Sequence, residues 1–301
     1  MQENTSQMMN NIFDDLKEKV LLRTSEEGDY ATSIEGLKLH RRDIINKPDN
    51  CFYRPIFALT VQGAKRTVMG NQEYRYGKGH CLIAGVDMPS MNYITDASPE
   101  EPYLVVSLEL SSQIISQLMT EVSPLSNGKF NSMKGTAVEP VDIGVLKATF
   151  RLLDLLDRPD QISVMAPMII REIHFRLLTG VQGKLLWQLN TRGTQSHQVQ
   201  RTITWMRENI GTDIDVNHLA QSVNMAPPTF RRHFKNITSL SPTQYHKALR
   251  LYEAQRLMLE DNIDALHAGY RVGYESPAQF NREYKRLFGN PPQTNINQLR
   301  Q

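Results

Sequence analysis

Cysteine is scarce in this 301-residue chain, which carries only Cys51 and Cys81. Two thiols cannot staple a disulfide scaffold, and they read as the reduced, structural thiols of a cytosolic protein. The one cue to a sensing thiol is Arg54, three residues beyond Cys51. No apolar run reaches the roughly 18 residues of a membrane-spanning helix, so no membrane partner is expected. The opening Met-Gln-Glu-Asn is neither basic nor apolar, which predicts no secretory signal and a cytoplasmic location. No G-x-x-x-x-G-K-[ST] and no G-x-S-x-G occurs, which removes the support for nucleotide hydrolysis and serine-hydrolase chemistry. Before residue 197 the only histidines are His40, His80 and His174, with no H-x-H pair. A catalytic two-His, one-carboxylate metal site therefore has little to build on, and no metal, cofactor or catalytic residue is assigned. His80 reads as a strand residue with an ordinary hydrogen bond.

Acidic residues are missing from one stretch in particular. Between Val216 and Tyr252 there are none, while Arg231, Arg232, Lys235, Lys247 and Arg250 all fall there. The whole chain carries a net charge of only +2, so this is a local basic patch in a near-neutral protein. Such a patch suggests a polyanionic partner.

The composition is otherwise ordinary, 40% hydrophobic and 22% charged, and the length suggests two domains. Residues 10–22 have the spacing of a short amphipathic helix, with Ile12, Phe13, Leu16 and Val20 on one side. From about Ala31 to Ser112 short strand-like runs alternate with turn residues such as Gly63, Gly70-Asn71 and Gly79. The clearest runs are 36–40, 56–61, 80–84 and 103–108, and they predict an antiparallel barrel or sandwich. After Leu110 the period becomes helical. Leu146, Phe150 and Leu153 mark one helix, and Met165, Ile169, Ile173 and Leu177 a second, with a turn at 157–160. The polar, Gly-punctuated stretch around 180–194 predicts a linker. The expected division is a sensor over 1–182, a linker over 183–196 and an all-α domain over 197–301.

That last segment contains a repeat. Pro227-Pro-Thr-Phe230-Arg-Arg232-His-Phe234-Lys235 matches Pro277-Ala-Gln-Phe280-Asn-Arg282-Glu-Tyr284-Lys285 at an offset of 50 residues. Each copy opens on a proline, which costs nothing at the first helical position because its missing N–H has no partner there anyway. Phe230/Phe234 and Phe280/Tyr284 sit at i, i+4 and are expected to be buried. The opposite stripes are Pro228, Arg231, Arg232 and Lys235, and Ala278, Asn281, Arg282 and Lys285. Both follow i, i+3, i+4, i+7, so each set points one way. Arg pairs with guanine, Asn with adenine and Lys with phosphate, while Pro and Ala offer apolar contact to a thymine methyl. An upstream helix ends at Asn224 in one copy and at Gly273 in the other. These are the residues that best tolerate the left-handed turn of a helix-turn-helix. Ser241 and Pro242 open a connecting helix that runs to about Glu260. Its length of roughly 28 Å approaches the turn of B-DNA, about 34–36 Å. Its apolar residues fall on more than one face, as in a helix clamped between two subdomains.

On these residues, 197–301 resembles the AraC/XylS-type DNA-binding domain. The resemblance is carried by Leu219-Ala220, Phe230-x-Arg232-x-Phe234-Lys235, Ser241-Pro242-x-x-Tyr245, Leu249-Arg250-Leu251 and Ala254-x-Arg256. It continues through Val272 to Pro277, Gln279 to Tyr284, and Phe288-Gly289-x-Pro291-Pro292. The N-terminal half resembles the cupin-like sensor domain of one branch of that family through Leu59-x-x-Gln62-Gly63, Tyr76-x-x-Gly79, Met88-Pro89, Pro102-Tyr103-Leu104, Arg171-Glu172-Ile173 and Arg176 to Gly180. The chain departs from the pattern at three places. Gly269 stands in a helix where Ala is usual, Ser239 where the turn usually has Gly, and Ala226 is a weak cap.

The resemblance implies an α+β protein, with a cupin-like antiparallel β-barrel and flanking helices preceding two helix-turn-helix units. It implies recognition helices at 227–236 and 277–287, with the eight outward residues as the DNA-binding set. The partners it implies are a double-stranded DNA operator, RNA polymerase and a small-molecule effector in the barrel, while the apolar helices of 142–179 within the sensor either pack against the barrel or join a second copy of the chain. A one-residue slip of strand register inverts every side chain, so no effector-lining residue is assigned. Two rival readings are a cupin-like enzyme with a DNA-targeting tail, and a constitutive DNA-binding protein with a ligand-blind barrel.

Overall fold

The computed structural model describes residues 2–45, 48–70, 72–122, 134–181 and 183–300. Asn71, counted above among the turn residues, and Gln182, at the expected end of the sensor, lie outside them. Two antiparallel sheets form the N-terminal body. One runs in the order β1 (Gly28–Ala31), β2 (Leu37–Arg42), β9 (Tyr103–Glu109), β4 (Ile56–Gln62), β7 (His80–Ala84), β10 (Thr136–Pro140). The other runs β3 (Asp49–Tyr53), β8 (Met88–Asp96), β5 (Ala64–Met69), β6 (Gln72–Gly77). The four strands legible from sequence are β2, β4, β7 and β9. The final strand β10 was hidden inside a stretch expected to be helical, because its Thr-Ala-Val-Glu-Pro carries no alternation.

The two faces of the larger sheet differ in kind. Leu39, Leu59 and Val106 share one face by register and are fully buried. They join the apolar core formed with Phe13, Leu16 and Val20 of α1 (Gln2–Leu21) and with α3 (Ile143–Asp154) and α4 (Pro159–Thr179). The opposite face carries Ala58, Thr60, Tyr103, Val105 and Ser107 and looks toward the smaller sheet. That sheet turns Lys65, Thr67, Ser90 and Asn92 back at it, all buried. Most of the core therefore lies under the helices, and the space between the sheets mixes these polar groups with buried apolar side chains such as Leu82, Met69 and Met88.

The helices follow the expected order with two corrections. Met165 is exposed, and Ala166 takes its place beside Ile169, Ile173 and Leu177 on the buried stripe of α4. Residues 183–196 are not an open linker. Gly183–Asn190 fold as α5, whose Leu185, Leu186, Trp187 and Leu189 are buried, and the next helix already begins at Gln195. Glycine and polar punctuation masked a short helix whose apolar residues are packed on nearly every side. Burial also pushes the Cys51 thiol up to about 12, which disfavours the reactive thiolate. The Nδ1 of His80 is buried with no hydrogen-bond partner among the described residues, unlike the ordinary strand hydrogen bond expected of that side chain. None of the described helices is long and apolar enough to cross a membrane.

The C-terminal region is all helix: α6 (Gln195–Glu208), α7 (Val216–Ser222), α8 (Pro227–Thr238), α9 (Pro242–Leu259), α10 (Ala265–Arg271), α11 (Pro277–Phe288) and α12 (Pro292–Leu299). A full capping box starts α9, with Ser241 and Gln244 satisfying each other's backbone N–H groups. Tyr245 and Leu249 of α9 enter the core shared by the first unit and the N-terminal body. Leu251, Tyr252, Ala254, Leu257 and Met258 enter a separate core with the second unit. The helix is clamped, as its scattered apolar residues predicted. The N-terminal body holds this arrangement directly: Tyr245 Oη donates to the Asp87 carbonyl at 3.0 Å, and Arg207 pairs with the Asp87 carboxylate at 3.3 Å. The Gly135 N–H donates to the Ile237 carbonyl at 3.0 Å.

Also on α9, burial together with the nearby Arg250 guanidinium lowers the pKa of His246 to about 4. Because the unfolded imidazole binds its proton more tightly than the folded one, stability is lost as pH falls from about 6.5 toward 4. Denaturant unfolding across that window is expected to show this loss, and His246→Gln to flatten it. An unchanged slope in the variant would remove His246 as the cause.

Candidate nucleic-acid interface

The two recognition helices are built alike from the inside. Phe230 and Phe234 are buried with ring centroids 5.5 Å apart, and Phe280 and Tyr284 repeat that arrangement at the same spacing. Tyr245 stands edge-on to Phe234 at 5.3 Å, and Tyr274 to Phe280 at 5.3 Å. With these aromatic pairs anchored inward, helical geometry turns the other stripe outward. Pro228, Arg231, Arg232, Lys235, Ala278, Asn281, Arg282 and Lys285 are all exposed.

Local chemistry explains the entry and exit of each helix. Ser276 caps α11 by accepting from the Gln279 N–H, whereas Ala226 gives α8 no side-chain cap. The preceding turns use Asn224 at φ 55° and Gly273 at φ 89°, the left-handed conformation anticipated for both. After α11, Gly289 takes φ 81° without strain, but after α8 the same position is Ser239 at φ 62°. A side chain there costs free energy that glycine does not. Ser239→Gly is therefore expected to raise unfolding stability by about 1 kcal/mol, seen as a higher denaturation midpoint. A lower midpoint would mean the serine is held by contacts that outweigh its backbone strain.

Gly269 has a reason that propensity alone did not supply. A Cβ placed there would stand 3.1 Å from the Phe280 ring, so its absence lets α10 approach the recognition helix closely.

Not every basic residue of the acid-free stretch belongs to this surface. Arg250 is buried, donating to the Ile210 carbonyl at 2.9 Å and to Asp213 at 3.1 Å. Lys247 pairs with Glu283 at 3.0 Å, and Tyr274 Oη donates to the same carboxylate at 2.9 Å. Burial opposes the charge on Glu283, but the hydrogen bonds from Lys247, Tyr274 and Gln279 outweigh it and hold the carboxyl below its usual range. These two cations brace helices together, a role that a linear charge count cannot separate from a binding patch. Arg231 also donates to Asn217 Oδ1 of α7 at 3.0 Å while staying exposed, so it ties the two helices of the first unit. The repeat also passed over Arg286, exposed beside Lys285, because its counterpart in the first copy is Asn236.

Residues 33–185 match the profile described as AraC-type transcriptional regulator N-terminus, and residues 219–298 match a helix-turn-helix domain profile. The chain belongs to the AraC-type transcriptional regulators. It is similar to the regulator GbdR of Pseudomonas aeruginosa, with 25% identity over 58% of this chain and 45% of GbdR. It is also similar to the thermoregulatory protein LcrF of Yersinia pestis, with 22% identity over 78% of this chain and 86% of LcrF. The chain spans about half the length of the first curated relatives it matches. GbdR is an HTH-type transcriptional regulator, and VirF of Yersinia enterocolitica, 26% identical over 47% of this chain and 52% of VirF, is a transcriptional activator. In fold, the chain is similar to ToxT of Vibrio cholerae, with a TM-score of 0.62 at 10% identity over 88% of this chain and 98% of ToxT. Another ToxT structure, with an unsaturated fatty acid bound, gives 0.61 at 10% identity, covering 89% and 97%.

Proposed function

We propose that this AraC-type regulator reads an operator with α8 and α11 and changes its DNA affinity when a small molecule occupies the space between its sheets. The observation that carries the DNA reading is the paired surface: two helices with matched aromatic anchors inside and eight matched polar, basic or small residues outside. Arg232 and Arg282 are the base-reading candidates, Asn281 suits adenine, and Lys235 and Lys285 suit phosphate. Pro228 and Ala278 offer apolar contact, and Arg231 would leave Asn217 to engage the duplex. The fatty acid held by ToxT supports reading the N-terminal body as the effector domain.

On this reading the sensor occupies 1–182 and the reader 197–301, with α5 packed between them. The protein acts in the cytoplasm, with RNA polymerase and a second copy of the chain as protein partners. Effector control requires that the ligand bind the DNA-competent and DNA-incompetent arrangements unequally. Genome-wide mapping of bound sites in cells tests the proposal. A shared sequence with two half-sites about one helical turn apart is expected, and it should vanish from cells carrying Arg232→Ala with Arg282→Ala. Binding scattered without a common sequence would overturn it.

A further inference from the structure

A cleft of about 1160 Å³ opens between the N-terminal body and the first helix-turn-helix. Its floor is one face of α6, where His197, Arg201, Trp205 and Glu208 recur at intervals of four and three residues. One wall is α2 (Ser112–Glu121) of the N-terminal body, and the other is α7 of the reader. Arg192, in the turn between α5 and α6, lines it as well.

The lining carries more positive charge than negative. Arg192 and Arg201 are exposed, and neither guanidinium makes an ion pair or hydrogen bond among the described residues. Burial, together with the Arg201 and Arg192 charges, holds the His197 imidazole below its ordinary range, so both arginines lie within electrostatic reach of one ring. Glu208 is the one carboxylate of the lining, and it sits two turns of α6 beyond Arg201. Other arginines of the reader are already spent: Arg207 pairs with Asp87 and Arg250 with Asp213. Two cations sharing a cleft without a protein counter-charge make it attractive to an anion.

Trp205 adds a second kind of contact. It is 37% exposed, whereas Trp187 is buried and donates to the Leu178 carbonyl at 3.2 Å. Trp205 follows Arg201 by four residues, one turn or about 5.4 Å along the axis. A guanidinium fork suits phosphate oxygens, and an exposed indole face suits a flat ring. Phosphate and ring held apart by the length of a sugar form the outline of a nucleotide.

We propose that the cleft between α2, α6 and α7 binds a nucleotide, with its phosphate on Arg192 and Arg201 and its base against Trp205. The site is separate from the space between the sheets and stands independently of the effector reading. A ligand seated here touches sensor and reader at once, and so favours the arrangement in which the two walls meet. The backbone of a bound operator is the other source of phosphate. The operator surface assigned above is built on α8 and α11, and neither lines this cleft.

The test titrates the full chain with AMP, GMP, CMP and UMP, each beside its nucleoside, with ribose 5-phosphate as a control. Calorimetry and absorbance-corrected tryptophan emission are the readouts. At least one nucleotide is expected to bind and quench the emission, with its nucleoside at least about tenfold weaker for want of the charge-assisted bonds. Arg192→Gln with Arg201→Gln should abolish binding. Trp205→Leu should weaken the nucleotide by about tenfold, the usual contribution of a stacked base, and leave ribose 5-phosphate unaffected. All three side chains are exposed, so both variants should keep the wild-type unfolding midpoint. No binding of any nucleotide, equal binding of nucleotide and nucleoside, or binding that survives the loss of both arginines would each overturn the proposal. Operator binding without nucleotide is measured in parallel. If the double arginine variant binds every duplex more weakly while no nucleotide binds the wild type, the two cations serve the operator backbone and the proposal falls.

Discussion

Phe234→Ala is expected to destabilise the chain by about 3–5 kcal/mol, the usual cost of truncating a fully buried ring. The residue is 0% exposed and touches Phe230 on its own helix and Tyr245 on the connector. Its loss leaves a cavity where α8, α9 and the N-terminal body meet, and Tyr245 is the residue whose hydroxyl reaches the Asp87 carbonyl. The effect should therefore pass beyond the first unit to the main cooperative transition, read by denaturant unfolding with intrinsic fluorescence and circular dichroism in parallel. Arg232→Ala, on the outer face of the same helix, should stay within about 0.5 kcal/mol of the wild type. A cost below about 1 kcal/mol for Phe234→Ala would mean that α8 is not anchored through this ring.

Arg232→Ala and Arg282→Ala are expected to weaken operator binding by about 1–3 kcal/mol each, roughly five- to 150-fold, with relaxed preference at one base position per variant. The expectation follows from exposed guanidinium groups at equivalent positions of two buried-face repeats. Lys235→Ala and Lys285→Ala should instead weaken binding evenly across sequences and reduce the salt slope by about one. Quantitative footprinting on operator and scrambled duplexes, at several salt concentrations, distinguishes the two behaviours. An unchanged footprint in both arginine variants would refute the assignment of this surface.

The C-terminal third was readable because its signals are local and doubled. Proline starts, Asn224 and Gly273 turns, and aromatic pairs at i, i+4 each fix a short stretch of backbone, and the second copy confirms the first. What sequence could not separate was the use of each cation. Arg250 and Arg232 look alike in the chain, and only the approach of Ile210 and Asp213 makes the former a brace. Sheets are less legible for a physical reason. Strand β10 pairs with β7 across more than fifty intervening residues, and its own composition carries no period. Helix α5 was read as a linker because glycine at its start outweighed four apolar residues that are buried only by their neighbours. The polar cluster around Lys65 was likewise invisible, since it joins β3, β5, β8 and β9, which only register brings together.

Strand β3 joins the space between the sheets to the connecting helix. Its alternation sends the Tyr53 side chain inward to Lys65 and the intervening Phe52 outward onto α9, where the Phe52 ring meets Tyr245 at 6.1 Å and Tyr252 at 5.2 Å. Those tyrosines belong to the cores of different reading heads. A twist of this one strand cannot reposition its inward phenol without also turning the outward ring that wedges between both heads.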